Sequence, residues 1–335
     1  MPKITFNQAK EFLNNITSED KIAIIHHDDG DGFASGILFC EWCEKREAKI
    51  ENFICSYGNW DEKNNLEKFN KIIITDVAPG GLIEIKFPKG KEIFYTDHHP
   101  KKEKIPKEIL ELRTTDDGYI PSSRTATELT KIKPWLGLAG TISDAGELHS
   151  INKEYIESTL KKYDITLKEF KQNISNTISN TISFFNEKKQ EAFEKIKEIN
   201  SIEEVKKLKK YSDPVEEEIK FQINKIKNNF EKMGNINMTM IDHAKFSLKK
   251  TIITKIAMEN PGKIFIFFAP KKSNPELLGI SSRHDAEEAD LPKLLEAGIK
   301  NLENANAGGH KRASGGQIQA KDLEKFKQNI RNFIK

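Results

Sequence analysis

One short stretch of this chain concentrates an imidazole and several carboxylates. His27, Asp29 and Asp31 lie two residues apart, directly after the apolar run 22–25 and directly before the apolar run 33–38. The first run predicts a buried strand and the second predicts the start of a helix. In an open α/β sheet such a turn is where ligands bind. Because clustered carboxylates repel one another unless a cation lies between them, the stretch predicts a cation site.

Other predicted elements end in the same kinds of residue. Strands are predicted at 71–75 and 92–96, and a small, apolar segment begins at 136. Each is followed by acids or imidazoles, namely Asp76, Asp97, His98, His99 and Asp144. The carboxyl ends of parallel strands share one edge of a sheet, which is the expected edge for a site. A solvated surface would not explain three strands that end in this way.

The pattern favours a centre of two divalent ions. Mg²⁺ and Mn²⁺ bind carboxylate oxygens, and Mn²⁺ also accepts imidazole nitrogens. Two such ions suit phosphoryl chemistry, because they activate a water and neutralise charge on the phosphate oxygens. The predicted ligands are His27, Asp29, Asp31, Asp76, His98 and Asp144.

Two other interpretations of the acidic turn fit less well. The glycines at 30, 32 and 36 resemble a dinucleotide-binding fingerprint, but Asp29 and Asp31 would then face a pyrophosphate. A calcium loop that began at His27 would carry Leu38 where a bidentate glutamate is required.

The chain is predicted to be an α/β protein with a parallel sheet. Predicted strands 22–25, 50–55, 71–75 and 92–96 alternate with helical stretches, which is typical of a sheet covered on both faces. Residues 151–232 are rich in Lys, Glu and Asn without a strand pattern, and they predict helices that Pro214 interrupts.

A second, smaller α/β unit is predicted from about residue 236. Strands are expected at 263–268 and 277–282, with helices at 249–259, 291–302 and 321–333. The predicted division is therefore a domain at 1–150, a helical connector at 151–235 and a C-terminal domain at 236–335.

Charge is divided unevenly between the two halves. Residues 1–150 hold 20 basic against 25 acidic residues, and residues 151–335 hold 34 against 26. An acidic half suits a cation site, and a basic half suits a polyanionic partner. No apolar run is long enough to span a membrane, and the first residues do not resemble a signal peptide, so a cytoplasmic location is expected.

The motifs together resemble the DHH phosphoesterase family. The resemblance is carried by His27-x-Asp29-x-Asp31-Gly32, Asp76, Asp97-His98-His99 and Asp144, and it covers nearly the whole chain apart from residues 151–232. It implies that His27 and Asp29 hold a first Mn²⁺ (or Mg²⁺), that Asp31, His98 and Asp144 hold a second, and that Asp76 bridges both. It also implies that His99 faces the scissile phosphate and that Asp97 orients its neighbours.

The C-terminal part resembles the domain associated with that family. The resemblance rests on Ser281-Ser282-Arg283 and on Gly308-Gly309-His310, and it implies that these residues grip a nucleotide phosphate, with Lys311 and Arg312 adding positive charge. Two departures leave the substrate class open. Asn306-Ala307 shorten the glycine run, and Ala145-Gly146-Glu147 follow Asp144 where many relatives have threonine and an aromatic residue.

The resemblance implies an exonuclease, similar to compact RecJ-like members of the family, including archaeal ones. Such an enzyme hydrolyses single-stranded DNA or RNA from an end to nucleoside 5′-monophosphates, for instance in DNA repair. Three alternatives stay open: an oligoribonuclease that also dephosphorylates 3′-phosphoadenosine 5′-phosphate, a cyclic-dinucleotide phosphodiesterase, and a non-catalytic replication scaffold. A helicase or replication factor is a further partner to consider, docked through helices 151–232.

Overall fold

The structure is a computed structural model and describes residues 4–56, 60–61, 64–100, 104–114, 118–242, 245–246, 248–271, 274–285 and 289–334. The chain divides into two compact units, Met1–Asp213 and Pro214–Lys335, which are described separately. None of the helices formed by the described residues is both long and apolar enough to cross a membrane.

The first unit is built on a five-stranded parallel sheet. Its strands are β1 (Lys21–His26), β2 (Lys49–Ile54), β3 (Lys71–Thr75), β4 (Glu92–Asp97) and β5 (Ile109–Arg113), in the order β2-β1-β3-β4-β5. The register sets His26 beside Thr75, and Thr75 beside Thr96, so the carboxyl ends of β1, β3 and β4 are level. The predicted parallel sheet is confirmed, and β5 is an additional strand that the sequence pattern did not indicate.

Helices cover both faces of this sheet. They are α1 (Phe6–Asn14), α2 (Gly30–Glu44), α3 (Pro79–Leu82), α4 (Ser122–Thr130), α5 (Pro134–Ser143), α6 (Lys153–Lys162), α7 (Leu167–Phe170), α8 (Asn176–Phe185) and α9 (Lys189–Lys197). Successive residues of β1 enter opposite cores, since Ile22 and Ile24 belong to one buried cluster and Ala23 and Ile25 to another. A strand buried on both faces explains why 22–25 is a continuous apolar run.

The predicted helical segment is helical, and its first part packs into the first unit. Phe193 of α9 stacks on the buried ring of His26 at the end of β1, with 4.8 Å between the ring centroids. The prediction that Pro214 interrupts the helices is wrong, because Pro214 lies inside α10 (Lys209–Ile226). Proline removes one backbone hydrogen bond there, but Val215, Ile219 and Ile226 are all buried and hold the helix in place.

The second unit contains a six-stranded mixed sheet. Its strands are β6 (Glu231–Met233), β7 (Ile236–Met240), β8 (Ile264–Lys271), β9 (Asn274–Arg283), β10 (Asn306–His310) and β11 (Ala313–Gln319), in the order β10-β11-β9-β8-β7-β6. The helices are α11 (Lys249–Glu259), α12 (Leu291–Gly298) and α13 (Leu323–Phe333). The predicted strands and helices are confirmed, and the glycine-rich segment forms the hairpin β10–β11.

Candidate metal centre

The candidate centre lies at the carboxyl ends of three adjacent parallel strands. His27 follows β1, Asp76 follows β3, and His98 follows β4. Asp31 enters from the first turn of α2, and Asp144 from the C-terminal end of α5. The topology therefore gathers side chains that are separated by up to 117 positions in the printed sequence.

The turn after β1 is held in shape by its own polar groups. Asp29 Oδ1 accepts hydrogen bonds from the backbone N–H groups of Asp31 and Gly32, both at 3.1 Å, and so caps α2. A Cβ atom at Gly32 would lie only 2.4 Å from the carbonyl oxygen of His27. Only glycine allows the helix to start so close to the preceding turn.

A first group of ligand-type atoms consists of His27, Asp29 and Asp76. His27 Nδ1 lies 2.9 Å from Asp29 Oδ2 and 3.9 Å from Asp76 Oδ2. Loss of hydration raises the pKa of Asp29, but the hydrogen bond with His27 and the capped amides outweigh it, so the pKa is lowered overall. Asp29 is therefore ready to act as an anionic ligand.

A second group consists of Asp31, His98 and Asp144, with Asp76 beside them. His98 Nε2 lies 3.3 Å from Asp76 Oδ1, 3.3 Å from Asp144 Oδ2 and 4.0 Å from Asp31 Oδ2. Asp76 thus presents one oxygen to each group. Its side chain is 1% exposed, its backbone is left-handed with φ of 59°, and its Oδ2 receives no hydrogen bond from the described residues.

The carboxylates of the two groups lie close enough together to affect one another's pKa values. Burial raises the pKa of Asp76 well above its usual range, and the nearby carboxylates of Asp31, Asp29 and Asp144 raise it further. The pKa of Asp144 is raised for the same reasons, with burial the largest. Buried carboxylates that face one another, with imidazole nitrogens among them, form a donor set that suits Mn²⁺. The residues present fit two divalent ions that share Asp76.

Asp31 has a second structural task. Its two carboxylate oxygens accept hydrogen bonds from the backbone N–H groups of Ser122, at 2.7 Å, and Ser123, at 3.0 Å. These amides belong to the first turn of α4, where Pro121 supplies no side-chain cap. Asp31 therefore caps a helix that is distant in sequence, and this contact fixes its position in the centre.

His99 and Asp97 form a hydrogen-bonded pair beside the two groups. His99 Nδ1 lies 2.8 Å from Asp97 Oδ1, and Asp97 Oδ2 accepts the backbone N–H of His99 at 3.0 Å. Burial lowers the pKa of His99, but the hydrogen bond and charge of Asp97 outweigh it and raise the pKa to about 9. His99 also has a ligand-type atom close to those of Asp76 and His98.

Two further residues of this region, Tyr119 and Lys189, are not predicted from the sequence. The hydroxyl of Tyr119 donates a hydrogen bond to Asp144 Oδ2, and its ring stacks on His149 with 4.2 Å between centroids. Lys189 of α9 reaches the acidic turn, with Nζ 3.4 Å from the carbonyl oxygen of Asp28. Neither had a local signal, since Tyr119 lies in a loop and Lys189 in a lysine-rich stretch.

The predicted substrate residues lie in the second unit. Arg283 is half-buried at the end of β9, where its Nε donates to Thr254 Oγ1 at 3.2 Å and its pKa is lowered by burial. Gly308 and Gly309 lie in β10, and a Cβ at Gly308 would meet no atom within 4 Å.

The residues that follow in the hairpin are placed differently. Lys311 is exposed, and the guanidinium of Arg312 donates to the carbonyl oxygen of Asp285 at 2.5 Å. The side chain of His310 lies outside the described part of the chain.

Part of the first unit is similar to a known protein family. Residues 21–160 match the sequence profile of the DHH family, N-terminal domain. No curated protein matches the chain significantly.

Solved structures share the fold of the whole chain. RecJ from Thermus thermophilus in complex with Mn²⁺ is 16% identical with a TM-score of 0.72, and the match covers 99% of this chain but 55% of that one. A manganese-bound exonuclease RecJ is 15% identical with a TM-score of 0.70, covering 99% and 95% of the two chains. An exopolyphosphatase-related protein from Bacteroides fragilis is 12% identical with a TM-score of 0.60, covering 98% and 96%. The chain thus spans about half the length of the Thermus protein, and the fold is RecJ-like.

Proposed function

We propose that this chain, whose residues 21–160 match the DHH family, N-terminal domain, is a metal-dependent phosphoesterase acting on nucleic acid. In this proposal it hydrolyses single-stranded DNA or RNA from an end and releases nucleoside 5′-monophosphates. The observation that carries the proposal is the position of Asp76, one oxygen of which faces His27 and the other His98.

The proposed ligands follow the two groups of side chains. His27 and Asp29 would hold one Mn²⁺ (or Mg²⁺), and Asp76 would contact both ions. Asp31, His98 and Asp144 would hold the other ion, although His99 also lies close to Asp76 and His98. Two such ions supply activation of water and neutralisation of charge on the phosphate.

Asp97 and His99 are the proposed catalytic pair. His99 Nδ1 is hydrogen-bonded to Asp97, and in this proposal Nε2 of the same ring would meet the phosphate or the leaving oxygen. Arg113 of β5 donates a hydrogen bond at 2.5 Å to the carbonyl oxygen of His99 and so steadies its backbone. In this proposal, Asp97 orients the ring of His99 through its two hydrogen bonds with that residue.

The second unit is proposed to bind the substrate. Arg283, with the amides of Gly308 and Gly309, would hold a nucleotide phosphate, assisted by His310, Lys311 and Arg312. A phosphate held at a fixed place favours cleavage from an end. We further propose a cytoplasmic location and retain the division into a phosphoesterase domain at 1–150, a connector at 151–235 and a substrate-binding domain at 236–335.

Digestion of end-labelled DNA and RNA of graded length, with Mn²⁺, tests the proposal. The wild-type protein should release nucleoside 5′-monophosphates, and Asp76→Asn should lower the rate at least about a hundredfold. The matched control is Asp164→Asn, which changes an exposed aspartate whose left-handed backbone asparagine tolerates, and it should keep full activity.

The products also separate the alternatives. Activity confined to very short RNA and 3′-phosphoadenosine 5′-phosphate would indicate an oligoribonuclease and not the proposed exonuclease. Activity confined to cyclic dinucleotides would indicate a cyclic-dinucleotide phosphodiesterase. A purified, folded, Mn²⁺-loaded protein that cleaves none of these would overturn the enzyme proposal in favour of a scaffold. Pull-down of a helicase or replication factor, repeated after substitutions on the exposed faces of α6 and α9, would then identify partners.

A further inference from the structure

Two lysines of the second unit converge over a glycine of β9. A Cβ atom at Gly279 would lie 3.1 Å from Lys249 Nζ and 3.9 Å from Lys271 Cε. Lys249 Nζ also lies 3.4 Å from the carbonyl oxygen of Gly279. The missing side chain at Gly279 therefore leaves room for two ammonium groups at one place on the sheet.

A third cation follows along the same face of the sheet. Side chains alternate along a strand, so Gly279, Ser281 and Arg283 share one face of β9, with about 13 Å between the first and the last. Arg283 is held toward α11 by its hydrogen bond to Thr254. The three cations are half-buried, and Gly279 and Ser281 beneath them are buried. We call the group formed by Lys249, Lys271, Gly279, Ser281 and Arg283 the cationic trough.

Most residues of the neighbouring strands β11 and β10 that lie beside the cationic trough have small side chains or none. Across β11, the residues paired with Gly279, Ser281 and Arg283 are Gln317, Gly315 and Ala313. Gly315 is paired in turn with Gly308 of β10, where an added Cβ would meet no atom within 4 Å. Small residues, Ala313 and Gly315 of β11 and Gly308 of β10, thus lie beside the Ser281–Arg283 end of the row, while Gln317 lies beside Gly279. An extended ligand can therefore approach the backbone at the Arg283 end.

The positive charge of the cationic trough is not neutralised by the described residues. None of them brings a carboxylate within 4.0 Å of the side-chain nitrogens of Lys249, Lys271 or Arg283, and the contacts that these nitrogens do make are neutral. Those contacts are the carbonyl oxygens of Gly279 and Ser282, Gln317 Oε1 and Thr254 Oγ1.

The pKa of Lys249 reflects the same environment. It is lowered first by burial and then by the neighbouring charges of Lys250, Lys271 and Arg283. A bound anion would relieve this repulsion.

We propose that the cationic trough binds two or more consecutive phosphodiesters of a single-stranded oligonucleotide, and so selects an oligomer over a mononucleotide. A single phosphate could meet one end of the row, whereas about 13 Å of strand separates Gly279 from Arg283 and accommodates several. The proposal rests on the proposed function for the hydrolytic step, but the binding itself needs no catalysis. It adds Lys249 and Lys271 to the predicted substrate residues.

Fluorescence anisotropy on the full chain, with EDTA present, tests the binding. The probe is fluorescein-labelled oligothymidylate of about 12 nucleotides, a length within the range that single-strand sites cover. Lys249→Gln/Lys271→Gln should raise the Kd about tenfold or more and lower the slope of log Kd against log salt by about 1.4, as expected for two lost phosphate contacts.

The matched control is Lys293→Gln/Lys325→Gln. It removes the same charge from α12 and α13, whose buried faces pack in the cluster that contains Leu278 and Ile280, on the opposite side of the sheet. The control should bind like the wild type, and Lys249→Arg/Lys271→Arg should restore binding.

Two results would overturn the proposal that the cationic trough binds an oligonucleotide. One is equal binding and equal salt dependence in the trough variant and the control, with both folded by circular dichroism. The other is an equal loss of affinity for competing thymidine 5′-monophosphate, which would indicate a single-phosphate site. Hydrolysis of bis(p-nitrophenyl) phosphate with Mn²⁺ should be the same in the control variant Lys293→Gln/Lys325→Gln and the wild type. If the wild type does not hydrolyse this or any other ester, the proposed function fails while anisotropy still decides the cationic trough.

Discussion

The position of Tyr119 in the candidate centre is set by side chains that are distant from it in sequence. Its hydroxyl donates to Asp144 Oδ2, the same oxygen that lies 3.3 Å from His98 Nε2. The ring is held between neighbours, edge-on to His98 at 4.9 Å and stacked on His149. A donor fixed in this way orients the carboxylate of a ligand and stabilises its charge, so Tyr119 is a positioning residue of the proposed second ion.

Tyr119→Phe should weaken Mn²⁺ binding about 10- to 100-fold while leaving the fold intact. The hydrogen bond from Tyr119 lowers the pKa of Asp144, so its loss makes the anionic ligand harder to form. Free Mn²⁺ counted by electron paramagnetic resonance during a titration measures the affinity. Tyr211→Phe is the control, because Tyr211 packs among the aromatic rings of Phe184 and Phe185 and should bind Mn²⁺ normally. Unchanged affinity in Tyr119→Phe would remove Tyr119 from the centre.

At the scale of elements, Asp20 fixes the end of the sheet at which β1 and β3 begin, opposite to the candidate centre. Asp20 Oδ2 accepts the backbone N–H of Thr17 at 2.8 Å, Oδ1 accepts Asn70 Nδ2 at 2.5 Å, and Lys71 Nζ lies 3.3 Å from Oδ1. These contacts tie the start of β1 to the start of β3, and both strands carry candidate ligands at their other ends. Burial raises the pKa of Asp20, but the hydrogen bonds from Thr17 and Asn70 and the charge of Lys71 lower it overall.

The stability of the first unit should therefore depend on pH through Asp20. Because the folded pKa is below the ordinary value of 3.8, the contribution is present above pH 3.8 and is lost as pH falls through the folded pKa. Asp20→Asn should lower the free energy of unfolding by about 1–3 kcal/mol at pH 6, and the difference should shrink toward pH 3. Urea unfolding of the metal-free protein measures it, and a difference that stays constant with pH would contradict the assignment.

The elements that the sequence predicts are those with a strong periodic signal. Residues 22–25 and 71–75 are predicted easily because both faces of these strands are apolar, and parallel topology then brings Asp76 near His27. Strand β5 was missed because Glu111 and Arg113 look like surface residues. In the structure they are buried and form an ion pair at 2.6 Å, a compensation that no local pattern reveals. Tyr119 and Lys189 were missed for the same reason, since their partners are distant in sequence.

At the scale of the whole molecule, metal binding should stabilise the first unit, and this effect can be measured separately from the unfolding of the second unit. The three tryptophans, at positions 42, 60 and 135, all belong to Met1–Asp213, so tryptophan fluorescence reports the unfolding of that unit alone. Without metal the unit folds against the mutual repulsion of its buried carboxylates. Because burial and Asp31 raise the pKa of Asp76, folding at neutral pH must either take up a proton there or hold an unfavourable charge.

Mn²⁺ and the variant Asp76→Asn should therefore each raise the melting temperature, but the two effects should not add. With EDTA, Asp76→Asn should melt a few degrees above the wild type, because an amide avoids the repulsion. With free Mn²⁺ at about 100 times the Kd, the wild type should gain about 2.7 kcal/mol for each ion bound, or about 5–10 °C per ion. Asp76→Asn should lose most of that gain, while Asp164→Asn should follow the wild type under both conditions. A variant at Asp76 that melts lower without metal and still responds fully to Mn²⁺ would mean that Asp76 supports the fold and does not hold ions.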